Sequence, residues 1–83
     1  MESVTREMKK LIKDEAIRKN VTKIYKDFDE EYESIVYYIY FKEETVRNTY
    51  EDEYMDYTVA MENELYKGAE AINEWLKEIA YVA

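Results

Sequence analysis

Ile35-Val36-Tyr37-Tyr38-Ile39-Tyr40-Phe41 is the longest apolar run in the chain, and it consists wholly of β-branched and aromatic residues. Those side chains suit a pleated, half-buried surface, so the run reads as a strand. Alternation then puts Ile35, Tyr37, Ile39 and Phe41 on one face and Val36, Tyr38 and Tyr40 on the other. Upstream, residues 22–28 alternate in the same way, with Ile24 and Phe28 on one side. Downstream, Met55, Tyr57, Val59 and Met61 alternate with Asp56, Thr58, Ala60 and Glu62, a period of two.

A helical reading competes over the same ground. Val21, Ile24, Phe28, Tyr32, Ile35, Val36 and Ile39 fit helical spacing, as do Val46, Tyr50, Tyr54, Tyr57, Met61 and Leu65. With no proline and a single glycine, turn punctuation is sparse, which favours an all-α bundle. A helix over 34–41, however, would leave Tyr37, Tyr38 and Phe41 uncovered. Residue type therefore favours strands.

The flanks read as helices. Val4, Met8, Leu11, Ile12 and Ala16 recur at three- and four-residue spacing, predicting one helix over 3–20 with Ser3 or Thr5 at its start and Asn20 at its stop. Ala69, Ile72, Trp75, Leu76 and Ile79 form a second apolar stripe, with Asn73 among the residues facing away and Gly68 near the helix start. The expected architecture is α+β in the order α-β-β-β-α: a three-stranded antiparallel sheet with helices on one face.

Eighty-three residues make one domain, 1–83, with no linker-like segment. A chain of this size buries about 60–65% of its unfolded surface, so its core is thin. There is no cysteine, which excludes disulfide staples and thiolate zinc sites and suits a reducing compartment. The first residues lack a signal-like pattern, and a seven-residue apolar run falls far short of the ~20 needed to span a bilayer. A soluble, cytoplasmic protein without a membrane role is the expectation.

Charge carries most of the functional information. The net charge is −8, with 12 bases and 20 acids. Residues 1–26 hold eight bases against four acids, whereas residues 27–83 hold four against 16. Such segregation implies either pairing of the basic segment with the rest or a one-sided acidic face. Direct capture of nucleic acid by the acidic portion is disfavoured, because phosphate contacts need Lys and Arg. A basic partner is favoured.

The acids gather in two clusters. The first is Asp27, Asp29, Glu30, Glu31 and Glu33, with Tyr32 among them; the second is Glu51, Asp52, Glu53 and Asp56, with Tyr50 and Tyr54. The first resembles a calcium-binding loop, but Tyr32 stands where the sharp-turn glycine belongs and Tyr38 where a closing glutamate should be. A solvated turn between strands is the expected identity, and no metal or other cofactor is implied. Crowded like charges repel one another, so a neutralising partner gains from meeting them.

Ten tyrosines, against two phenylalanines and one tryptophan, are the other excess. Tyrosine combines a flat apolar body with a polar tip, which enriches it at interfaces. About half should fill the sheet; Tyr32, Tyr50 and Tyr54, set among acids, should be exposed contact residues. Catalysis fails on inventory: histidine and cysteine are absent, and a domain this small has little room for a dry pocket.

Carboxylates interleaved with aromatic rings form a chemical negative of a nucleic-acid-binding groove. In size, acidity, tyrosine content and element order, the chain resembles the small inhibitors that phages and mobile elements deploy against host nucleases, the anti-CRISPR and anti-restriction proteins. The resemblance spans the whole chain in character and rests on no shared motif. It implies a non-catalytic inhibitor that mimics DNA to occupy the basic surface of a CRISPR effector or other nuclease. The contacts would fall to the two acidic clusters and Tyr32, Tyr50 and Tyr54. Two alternatives stand beside it. One is an interaction module or homodimer using Val36, Tyr38 and Tyr40; the other is an antitoxin-like protein with its basic helix on DNA.

Overall fold

A computed structural model describes residues 1–62 and 69–82; Tyr66 and Gly68 lie outside them. The elements are β1 (Glu2–Ser3), α1 (Thr5–Lys9), α2 (Glu15–Lys19), β2 (Val21–Asp29), β3 (Ser34–Phe41), β4 (Val46–Asn48), β5 (Tyr57–Met61), α3 (Ala69–Ile79) and β6 (Ala80–Val82). The fold is α+β, and the all-α alternative is excluded. The larger sheet has four antiparallel strands in the order β1-β2-β3-β5, one more than the expected meander, and β4 pairs with β6 in a second, two-stranded sheet.

The alternation read in Ile35–Phe41 sorts the two faces as expected. Ile39 stands opposite Ile24 on one side and Thr58 on the other, and Tyr37 stands between Lys26 and Ala60. Ile24, Ile39 and Ala60 share one core cluster with Ile12 and Ile17 from the first helical segment and with Ile72 and Leu76 from α3. This face is the one the helices cover. Phe28, on the same face near the hairpin turn, lies beyond that cover and is 57% exposed.

The helix expected over 3–20 is broken. Residues 2–3 instead pair with Tyr25 and Lys26 as β1, and two five-residue helices follow. The break is built, not frayed. The Asp14 side chain accepts the Ile17 amide at 3.0 Å and caps α2. The Arg18 guanidinium donates to the Ile12 carbonyl at 2.9 Å, and Asn73 of α3 bonds to both Leu11 and Lys13. Asn73 thus faces this break, not away from it. Backbone groups given up by a continuous helix find side-chain partners here, which removes the desolvation cost of the interruption. The reward is placement of Ile12 and Ile17, both essentially fully buried, on opposite sides of the corner. Asn20 does end α2, as expected.

The C-terminal stripe is as predicted: Ile72 and Leu76 are each 1% exposed, with Trp75 and Ile79 packed against the core. The third expected strand is shorter than its alternation, because Met55 leaves the sheet and its amide bonds to the Val46 carbonyl at 2.8 Å. Val46, a helical position in the competing pattern, is fully buried in β4.

Candidate partner-binding surface

The face opposite the helices is ordered by strand register into three rows. Lys23, Tyr40 and Tyr57 form one row; Tyr25, Tyr38 and Val59 the next; Asp27, Val36 and Met61 the third. None of these nine residues belongs to the core cluster. Tyr57 is 51% and Val59 41% exposed, while Tyr25, Tyr38 and Tyr40 are half-buried against one another. Val36 is only 2% exposed; it sits mid-strand among longer neighbours on this face.

The rings form a connected set. Tyr25 meets Tyr40 edge to face, with centroids 5.9 Å apart, and Tyr57 lies 5.4 Å from Tyr40 and 6.4 Å from Tyr38. Aromatic cross-strand pairs of this kind stabilise the sheet that carries them. The Lys23 ammonium sits 4.9 Å from the Tyr40 centroid and 5.5 Å from that of Tyr25. Both separations are within cation–π range. The surface therefore already holds one cation against its rings.

The first acidic cluster borders this face, and Asp56 of the second lies at its other end. Glu30 to Glu33 form the turn of the β2–β3 hairpin, where the Asp29 carboxylate accepts the Glu31 and Tyr32 amides at 2.9 and 3.1 Å. Asp27 lies on the open face itself, opposite Val36. The second cluster occupies the loop between β4 and β5, and the Asp56 carbonyl accepts the Phe41 amide at 2.9 Å. Since β3 runs eight residues from the turn to Phe41, Asp56 stands at the far end of the sheet from the first cluster, about 24 Å away by strand rise. The two clusters are not brought together into one patch, and the rest of the second is tied to the β4–β6 sheet and α3.

Asn48 builds the second loop. Its side-chain oxygen accepts the Tyr50 and Glu51 amides at 2.8 and 2.9 Å, and its main chain bonds to Glu53 and Asp52. Arg47 then reaches over the loop, its Nε 3.1 Å from an Asp52 carboxylate oxygen and its guanidinium 4.6 Å from the Tyr54 centroid. The Tyr81 hydroxyl of β6 donates to the same carboxylate. These bonds, from Tyr81 first and Arg47 second, hold the Asp52 carboxyl below its ordinary range, although the side chain is 69% exposed. The Tyr50 hydroxyl donates to Glu78 of α3 at 2.8 Å.

Tyr32, Tyr50 and Tyr54 are all exposed, at 63, 69 and 49%. Tyr50, Asp52 and Tyr54 nevertheless spend part of their bonding capacity inside the protein, which leaves Glu51, Glu53 and Asp56 as the freer acids of that cluster. The sequence reading passed over Asn48, Arg47 and Tyr81. An Asn three residues before an acidic run is a turn signal, whereas the partnership of Arg47 with Tyr81 is a product of β4–β6 pairing. Among the described residues no group of three or more Asp or Glu side chains is placed to hold a metal ion, and no helix is long and apolar enough to cross a membrane.

No protein-family model, curated protein or solved structure matches the chain.

Proposed function

We propose that the protein is a non-catalytic inhibitor that occupies an arginine- and lysine-rich surface of a nucleic-acid-binding protein, in the manner of the DNA-mimicking proteins it resembles, with a CRISPR effector as the target class. The observation that carries this reading is a tyrosine face with Asp27 on it, the Glu30 to Glu33 turn at one end and Asp56 at the other. Arginine side chains stack on tyrosine rings and bond to carboxylates bidentately, so a basic groove laid along β3 meets both chemistries in one contact. Lys23 against Tyr25 and Tyr40 is an internal precedent for the stacking part.

The centre of the contact in this reading is Tyr38, Tyr40 and Tyr57. Asp27, Glu30, Glu31 and Glu33 form one flank, and Glu51, Glu53 and Asp56 form the other. Tyrosine anchors ringed by polar groups are the usual composition of interface hot spots. The acids steer the encounter and give it its salt dependence, screened over about 8–10 Å at physiological ionic strength.

Capture of a CRISPR effector by the immobilised protein, followed by elution with short duplex DNA, tests the reading. Release by DNA and by moderate salt is expected, with loss of capture when Glu30, Glu31 and Glu33 are all changed to Lys. Undiminished inhibition after reversal of both clusters would remove the mimicry reading. Exposure of Tyr57 and Val59 on the edge strand β5 supports a second reading, self-association through this face. Dimerisation in sedimentation that salt does not weaken would bring it forward.

A further inference from the structure

Of the two arrangements open to the basic N-terminal segment, pairing with the acidic remainder is confined among the described residues to the Met1 ammonium, 3.9 Å from Asp27. Arg47 with Asp52 is the one ion pair between side chains within 4.0 Å among the described residues. Five cationic residues of that segment border one open groove, their aliphatic stems forming most of its wall. A groove of about 500 Å³ between α1 and α2 is lined by Thr5, Arg6, Lys9, Lys10, Arg18 and Lys19, with no carboxylate in its wall. The helix break at Lys10–Asp14 makes this possible, since residues of both helices then border one groove.

We infer that this groove is a binding site for a compact, multiply charged phosphate compound, the class that includes inorganic polyphosphate and nucleoside polyphosphates. Three features argue for it. First, Arg18 is half-buried and anchored through its bond to the Ile12 carbonyl, so one fork of donors is set in place before any ligand arrives. Preorganised guanidinium is the group best matched to phosphate oxygens. Second, the stems of Lys9, Lys10 and Lys19 supply flexible point charges around it, and five like charges in one groove are relieved by an anion of comparable charge.

Third, charge elsewhere limits the size of the ligand. Beyond residue 26 the chain carries 16 acids against four bases. A duplex presents one negative charge per ~1.7 Å of its axis, and phosphates extending past the groove would meet that acidic remainder. A ligand of two or three phosphates stays within the ~8–10 Å over which the five cations dominate the screened potential. The site is separate from the tyrosine face, and its occupancy does not depend on the inhibitor reading.

Titration calorimetry with inorganic tripolyphosphate at low salt, with ATP, a 20-base-pair duplex and sulfate as parallel ligands, tests the assignment. Saturable one-to-one binding of tripolyphosphate is expected. Affinity should fall by about tenfold or more in Lys9→Glu/Lys10→Glu, as expected for loss of charge-assisted contacts, and persist in Lys9→Arg/Lys10→Arg. Far-UV circular dichroism confirms that each variant is folded, and Lys19→Gln provides a milder second probe. Comparable affinity for ATP and tripolyphosphate would assign the contact to the phosphate chain, and a clear preference for ATP to a nucleoside polyphosphate. Tighter binding of the duplex, equal heats from sulfate, or unchanged affinity in the charge-reversed variant would each overturn the proposal.

Discussion

The Asn73 side-chain amide donates to the Leu11 carbonyl at 2.8 Å across 62 positions of chain, while its oxygen accepts the Lys13 amide at 2.7 Å. One residue of α3 thereby completes a helix break near the start of the sequence. Asn73→Ala leaves both main-chain groups without these partners and is expected to cost about 1–3 kcal/mol. Asn73→Asp keeps the acceptor but turns a carboxylate oxygen towards the Leu11 carbonyl, and should be no better. Urea unfolding monitored at Trp75 measures both, with a lowered midpoint and unchanged slope as the expected result.

Asp52 gives the protein an acid-sensitive tether. Its carboxyl is held low by Tyr81 and Arg47, so its folded value lies below the unfolded one. The stabilisation is complete above the unfolded carboxylate range near pH ~4 and is lost as pH falls through the lower folded value. Asp52→Asn should therefore be less stable than the parent at neutral pH, with the gap closing in acid. Thermal melts between pH 7 and pH 3 would show the two curves converging; a constant gap would disconnect Asp52 from acid unfolding.

Three phenols should ionise late in alkali. Burial, followed by the charge of Glu62, raises Tyr37; bonds to Glu78 and Asp52 raise Tyr50 and Tyr81. A folded value above the unfolded one contributes stability below pH ~10 that is lost as pH rises through the folded value. Absorbance at 295 nm should show a delayed fraction of tyrosine titration. Tyr50→Phe and Tyr81→Phe should each remove one phenol from that delayed fraction, leaving the early fraction unchanged.

Glu33 and Glu44 adopt positive φ, 50° and 54°, the left-handed region in which a Cβ is unfavourable. Replacing either with glycine is expected to stabilise the fold by up to about 1 kcal/mol, relief of the turn outweighing the added freedom of the unfolded chain. Differential scanning calorimetry of the two single variants checks this. A lower melting temperature in both would show that the carboxylates do more in these turns than the backbone strain costs.

These turns also explain how far the sequence could be read. The strands over 21–41 were legible because residue type and alternation agree in Ile35–Phe41, and the α3 stripe because its period is clean. The turns carried no such mark: the chain's one glycine is at 68, and left-handed positions fall to Glu33, Glu44 and Asp52. The break after Lys9 was invisible because its partners, Asp14 and Asn73, act through caps and long-range bonds that periodicity does not encode. β1, β4 and β6 have two or three residues each, too few for an alternation to register. At the candidate surface, the acids and exposed tyrosines could be chosen by composition. That one cluster borders the tyrosine face while most of the other is tied to the β4–β6 sheet and α3 required the strand pairing.

The small β4–β6 sheet has a consequence in time. Val46 is fully buried, yet its strand depends on Ala80–Val82 for its ladder, and Thr49 bonds to the Ile79 carbonyl at 2.8 Å. During synthesis, the β2–β3 hairpin can form from neighbouring residues, whereas β4 must wait for more than thirty further positions of chain to emerge. Through that interval Val46 and one edge of its strand stand uncovered, and the like charge of Glu51, Asp52 and Glu53 beside them disfavours pairing with other nascent chains. The same acidic loop therefore lies where like-charge repulsion opposes edge-to-edge pairing before β6 arrives.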